Sequence, residues 1–176
     1  HPTPTGCSFL HPTPGEFGML YPSGDVHFIS LTDGAETFRG KFAVAEKPWA
    51  SASAWSRDSN VYLLLGGASQ NRETARQIHF NQPVRFEVKG ALHCFDRKTG
   101  KHRWQRDLTK PEGRWYLWNT SRASSPFLFF VRDVRKEVEQ NGRKSQRVVG
   151  YHLLILSALT GKVLLDRELA NNERPL

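Results

Sequence analysis

Three stretches of the chain share one order of apolar and polar positions. Cys94-Phe95-Asp96-Arg97-Lys98-Thr99-Gly100-Lys101-His102-Arg103-Trp104 is matched by Ile155-Leu156-Ser157-Ala158-Leu159-Thr160-Gly161-Lys162-Val163-Leu164-Leu165. A weaker copy stands earlier, at Phe28-Ile29-Ser30-Leu31-Thr32-Asp33-Gly34-Ala35-Glu36-Thr37-Phe38. In each, an apolar run ends in a short oxygen-bearing residue (Ser30, Asp96, Ser157). Three residues later comes Asp33, Thr99 or Thr160, then Gly34, Gly100 or Gly161, and four places beyond the glycine a large apolar residue, Phe38, Trp104 or Leu165. A repeat of this kind has to be sought first, because it decides the whole fold. The apolar run before the third turn, Leu153-Leu154-Ile155-Leu156, does not alternate with polar residues, which predicts a strand covered on both faces.

Each place in the frame has a physical reason. The Asp or Ser oxygen can accept backbone N–H groups of the turn, and glycine supplies positive φ without a Cβ clash. The large residue beyond the turn fills the space between one sheet and the next. Three such sheets stacked face to face describe blades around an axis. The fold class expected is therefore all-β, a β-propeller segment of about three antiparallel four-stranded blades. The plainer alternative is three unrelated hairpins in a β-sandwich.

β-Branched and aromatic enrichment favours strands throughout. The first blade, about 15–48, takes FGMLY (17–21), DVHFISL (25–31) and AETFRGKFAV (35–44). The second, about 52–110, takes NVYLLLG (60–66), VRFEVKGALHCF (84–95) and HRWQRDL (102–108). The third, about 120–170, takes PFLFFVRDV (126–134), SQRVVGYHLLIL (145–156) and KVLLDREL (162–169). One helical turn is predicted, at 69–77, capped by Asn71. The turn glycines lie 66 and 61 residues apart, against the ~40–45 residues of a usual blade. The excess is assigned to a loop at 67–83 and a long hairpin around Asn141-Gly142. All 176 residues are read as one such segment. Three blades are too few to close a ring, so the segment is expected to belong to a larger propeller.

The frame resembles the PQQ-like β-propeller repeat of quinoprotein alcohol dehydrogenase-like proteins, which runs small-apolar, Leu, Asp, Ala, x, Thr, Gly, Lys, x, x, Trp. Cys94, Gly100 and Trp104 match it best; the first copy departs at Phe28 and Phe38, the third at Ile155 and Leu165. The resemblance implies that Trp104 docks between neighbouring blades, against the small residue and the turn glycine. It also implies an extracytoplasmic place in a bacterium. It does not imply the PQQ cofactor, since many relatives lack it. The adjacent cysteines that cap PQQ in the dehydrogenases are absent, no calcium-binding Asp/Glu/Asn set is recognisable, and neither PQQ nor Ca²⁺ is expected here.

Charge changes the picture in one respect. The net charge is +8, which favours acidic partners. Residues 132–147 hold six Lys/Arg (Arg132, Arg135, Lys136, Arg143, Lys144, Arg147) against three acidic residues. That reads as a basic hairpin reaching toward an anionic partner, or as a hairpin kept soluble and unpaired by its charge. Arg97, Lys98, Lys101 and Arg103 form a second cluster on the turn frame. The aromatic run RWYLWNTSR (114–122) could stack on sugars or bases, but is read as a connection between blades buried against the sheet; Asn119-Thr120-Ser121 matches a glycosylation sequon.

Little else suggests chemistry. Cys7 and Cys94 can form one disulfide or remain free. His1, Cys7 and His11 lie in a proline-rich stretch read as a lead-in strand, without zinc-site spacing, and the other histidines make no metal motif. No phosphate loop, catalytic triad or carboxylate pair can be proposed, and no apolar run reaches membrane-spanning length. The function expected is a non-catalytic scaffold whose partner is another protein or the remaining blades of a parent chain. The rivals are part of a PQQ-dependent dehydrogenase and a polyanion or nucleic-acid binder.

Overall fold

The computed structural model describes residues 7–44, 49, 51–66, 85–88, 90–109, 115–118, 125–140 and 143–169. The described residues form thirteen strands in three antiparallel sheets and no helix. The chain is all-β. The 69–77 helical turn, the Asn141-Gly142 turn and the sequon at 119–121 lie outside the described residues.

Two compact units divide the chain, His1–Arg72 with Lys89–Leu108, and Glu73–Val88 with Thr109–Leu176. Unit 1 holds two four-stranded sheets. Sheet A is the meander β1 (Ser8–Thr13), β2 (Glu16–Leu20), β3 (Asp25–Ser30) and β4 (Glu36–Lys41); sheet B is β5 (Ser51–Arg57), β6 (Asn60–Gly66), β8 (Gly90–Asp96) and β9 (His102–Asp107). Unit 2 holds the five-stranded sheet C, in the spatial order β13 (Val163–Leu169), β12 (Arg143–Ser157), β11 (Phe127–Gln140), β10 (Trp115–Trp118) and β7 (Arg85–Val88).

The three frames adopt one geometry. Phe28 faces Phe38, Cys94 faces Trp104 and Ile155 faces Leu165 across their hairpins, and each register shifts at the next residue. The turn bonds repeat as well. Gly34 N–H donates to Ser30 O at 3.0 Å, Gly100 to Asp96 O at 2.9 Å and Gly161 to Ser157 O at 2.9 Å. Residue by residue, the frame's next N–H (Leu31, Arg97, Ala158) donates to a carbonyl of another segment: Gly15, Ser59 and Pro126. The glycines have φ of 74, 68 and 67°, the left-handed region that disfavours side chains. Asp96 caps the second turn by accepting from Thr99 N–H at 2.8 Å and Thr99 Oγ1 at 2.9 Å. Those bonds and the Arg103 guanidinium hold its carboxyl down to about 2. Thr160 N–H donates likewise to Ser157 Oγ at 3.3 Å.

Phe38, Trp104 and Leu165 thus stand on the last strands of three separate sheets. Phe38 and Trp104 are buried and Leu165 half-buried.

Several strand assignments differ from the pattern-based ones. VRFEVKGALHCF is not one strand of the second blade: β7 pairs with β10 in sheet C, while β8 pairs with β6 and β9 in sheet B. Gly90 marks the break. Its φ is 152° and a Cβ there would lie 1.8 Å from Leu65 O, so only glycine lets the chain enter sheet B at this angle. Trp115–Trp118, read as a connection, is strand β10. Sheet C is therefore five-stranded rather than four. β5, SASAWSR, went unassigned because serine and alanine carry little strand signal. Its Ala52 and Ala54 pack against the core of unit 1.

That core lies between sheets A and B. Leu10, Leu20, Val26, Phe28, Phe38 and Phe42 of the first half meet Val61, Leu63, Leu65 and Phe95 of sheet B. Phe28 and Phe38 rings lie 4.9 Å apart, and Phe38 meets Phe95 edge-on at 5.9 Å. Gly100 seats the second turn directly on sheet A, since a Cβ there would lie 1.7 Å from Arg39 O. A polar clamp closes the rim: Arg97 donates to Glu16 Oε1 at 2.5 Å and to Ser56 Oγ at 2.5 Å. Thr37 and Thr13 also donate to Glu16, at 2.6 and 3.0 Å. Burial pushes the Glu16 carboxyl up, but these donors outweigh it and leave it below the usual range. β6 is buried along nearly its whole length, as a strand covered on both faces must be.

Candidate interaction surfaces

β11 and β12 are far longer than their neighbours. β10 pairs only with residues 129–132 of β11, and β13 only with residues 151–156 of β12. From Arg135 outward to Gln140, and from Arg143 to Val148, the two strands pair with each other alone as a two-stranded ribbon. Side chains alternate between its faces. Lys136 and Arg147 are directly opposed, with Val138 opposite Ser145 on the same face. The register places no acidic residue on that face among the described residues. The other face carries Arg135, Glu137 and Glu139, with Lys144 opposite Glu139. There Arg135 pairs with Asp133 at 3.2 Å and Lys144 with Glu137 at 2.8 Å.

Five of the six cations singled out from sequence fall into three sets; the side chain of the sixth, Arg143, lies outside the described residues. Lys136 and Arg147 share an acid-free face. Arg135 and Lys144 are ion-paired on the other. Arg132 does not belong to the ribbon: it sits in the sheet, 5.3 Å over the Trp115 ring and 3.3 Å from His152 Nδ1. Placing like charges directly opposite disfavours a hairpin by a few tenths of a kcal/mol up to ~1 kcal/mol. The Lys136–Arg147 pair runs against ribbon stability, whereas the other face is self-neutralising.

The basic cluster on the turn frame is structural in half of its members. Arg97 clamps Glu16, and Arg103 bonds Asn60 Oδ1 at 2.6 Å and the Asp96 carboxylate. Lys98 and Lys101 are exposed.

A second surface had no signal in sequence. The face of sheet A turned away from sheet B carries Phe9, Phe17, Met19, Tyr21, His27 and Ile29, and at its β3–β4 edge the ion-paired Asp25, Glu36, Arg39 and Lys41. Phe9 is 52% exposed, and Phe17, Met19 and Ile29 are half-buried. The Phe9 and Phe17 rings lie 5.3 Å apart, and Tyr21 meets His27 edge-on at 5.4 Å.

Two histidines were also brought together only by the fold. His93 Nδ1 lies 3.3 Å from His102 Nε2, and the His93 ring packs 4.4 Å from Phe42. Burial pushes His93 down to about 4, and His102 downward as well. Cys7 and Cys94 are not joined in a disulfide; burial drives the Cys94 thiol up to about 12, so it behaves as an apolar side chain. Among the described residues no group of three His, Cys, Asp or Glu is placed to hold a metal ion. No helix among them is long and apolar enough to cross a membrane.

Fold and surfaces together define an all-β repeat protein of antiparallel, blade-like sheets with an extended charged ribbon. No family model matches the chain, and no curated protein does. Among solved structures, it is similar to BamB from Moraxella catarrhalis, at 13% identity and TM-score 0.28, over 91% of this chain and 60% of that one. It is also similar to the quinohemoprotein alcohol dehydrogenase ADHIIG from Pseudomonas putida, at 11% identity and TM-score 0.35, over 88% of this chain and 33% of that one. The chain spans less than two thirds of either. At such scores the likeness carries no argument, and the sheets stand on their own hydrogen bonds.

Proposed function

We propose that this chain is a non-catalytic scaffold of the PQQ-like propeller kind, binding a protein partner through the β11–β12 ribbon. The occupant of the ribbon is an acidic polypeptide segment lying on the Lys136–Arg147 face. The observation that carries this reading is the segregation of charge: the opposed cations Lys136 and Arg147 on one face without an acid among the described residues, against ion pairs on the other. Cations that are not neutralised within the ribbon remain free to meet carboxylates, and they steer encounter as well as hold the partner. The face has no aromatic side chain on which a base could stack, which favours an acidic peptide over single-stranded nucleic acid. A place outside the bacterial cytoplasm belongs to the same proposal.

The test is binding of a labelled oligo-glutamate peptide, read by fluorescence anisotropy at low and at physiological salt. Joint Lys136→Glu and Arg147→Glu substitution should weaken binding by about tenfold or more, as reversal of two surface charges is worth ~1–2 kcal/mol. Arg135→Ala with Lys144→Ala should change it by less than about threefold. Equal losses for both pairs would refute the face assignment. Retention on heparin without peptide binding would replace the protein partner by a polyanion.

A further inference from the structure

Sheet A has one face closed and one open, and the open face is the same face by which sheet B closes on sheet A. The repeat allows the match position by position. Ile29 stands where sheet B has Phe95, Met19 where it has Leu63, Phe17 where it has Val61, and Gly34 where it has Gly100. In sheet B these places are filled by the neighbouring sheet: Phe95, Val61 and Leu63 are wholly buried and Gly100 is pressed on the Arg39 carbonyl. In sheet A they are not. A Cβ at Gly34 would meet nothing within 4 Å, and Leu31, at the place of the clamping Arg97, is 63% exposed.

Sheet C, taken by itself, shows the complementary asymmetry. One face is buried, through Leu128, Phe130, Leu154 and Leu156. The other presents Leu153, Ile155, Leu165 and Phe129, half-buried, beside the buried Val131. Ile155 and Leu165 are the partners that correspond to Phe28 and Phe38, and Leu153 corresponds to Val26. These are the places by which sheet A receives sheet B. Arg167 stands at the Gly40 place, where a long side chain can lay its stem on apolar surface and keep its charge in water.

We propose that the open face of sheet A docks the open face of sheet C of a second copy of this chain, head to tail. Both halves of one repeated interface are present on the chain, and the polar residues of the sheet A half, Glu36, Arg39 and Lys41 on β4, occupy the places of His102, Gln105 and Asp107 in sheet B. The junction puts Leu165 of one copy on Ile29 of the next, as Phe38 lies on Phe95 within unit 1. The contact is heterologous, so it either closes into a ring or runs on as an open chain.

The experiment is light scattering coupled to gel filtration on the full 176-residue chain, with circular dichroism to confirm the β fold of each variant. The wild type should elute at twice the monomer mass or above. Ile29→Asp and Leu165→Asp should each elute as folded monomers, both sites being half-buried and tolerant of a polar residue. Mixed together they should form a 1:1 complex, because each retains the face the other lost. A folded wild-type monomer over a wide concentration range would overturn the proposal, and would leave a further blade as the occupant. So would two variants that associate as the wild type does, or a mixture that stays monomeric. Lys136→Glu with Arg147→Glu should leave the assembly unchanged, which separates this surface from the ribbon.

Discussion

Sheets A and B are copies of one design in different surroundings, and the comparison shows how much of a repeat's stability lies between repeats. Their third hairpins have the same register, the same shift after Phe28 or Cys94, and the same turn bonds. Yet Phe95 is fully buried where Ile29 is half-exposed, and Gly100 touches a neighbouring backbone where Gly34 touches nothing. Hydrogen bonding within the hairpin is local and survives either setting. Apolar burial, at ~25 cal/mol per Å², depends on the neighbour. A solenoid-like or propeller-like chain adds such interface contributions repeat by repeat.

The largest expected break of the comparison is at the paired core positions. Phe95→Ala should cost about 3–5 kcal/mol, since it empties the space against Phe38 and Phe42. Ile29→Ala should cost about 1 kcal/mol, because a half-exposed side chain loses little burial. Urea melts of the two variants would decide; similar losses would mean that the open face is as packed as the closed one.

The turn glycines come next. Gly34→Ala should cost about 1–2 kcal/mol, the left-handed backbone alone. Gly100→Ala adds a Cβ driven onto the Arg39 carbonyl and should cost at least twice that. Equal losses in thermal or denaturant melts would deny that the second turn is seated on sheet A.

The smallest effect is at the equivalent histidines. His27 is half-exposed beside Glu36 at 3.0 Å, whereas His93 is buried and held down to about 4. The folded state thus binds the His93 proton less readily than the unfolded state, with its ordinary value near 6.5. Its contribution is complete above pH ~6.5 and is lost as pH falls from there toward 4. His93→Gln should flatten the stability–pH curve across that window. A fall as steep as that of the wild type would assign the acid sensitivity elsewhere.

The turn frame was legible because it is local: Asp96 caps Thr99 three residues on, and Gly100 needs its left-handed backbone whatever surrounds it. The ribbon was half legible. Its charge is countable in a line, but the sorting of Lys136 and Arg147 from Arg135 and Lys144 follows from pairing register. Arg132 was misplaced for the same reason, since only cross-strand neighbours reveal that it lies over Trp115. β7 was assigned to the wrong sheet because a backbone strand carries no label for its partner.

What the sequence by itself determined is the set of turn frames and their geometry, because these follow from residue type and short-range hydrogen bonds; the double-sided burial expected of residues 153–156 did not hold, since Leu154 and Leu156 are buried while Leu153 and Ile155 are half-buried. Tertiary structure alone decided which sheet Arg85–Val88 and Gly90–Asp96 each join, which ribbon face is free of acid, and which face of sheet A is left open. Those depend on pairings between residues far apart in the chain, and the free energy of such pairings belongs to neither partner alone.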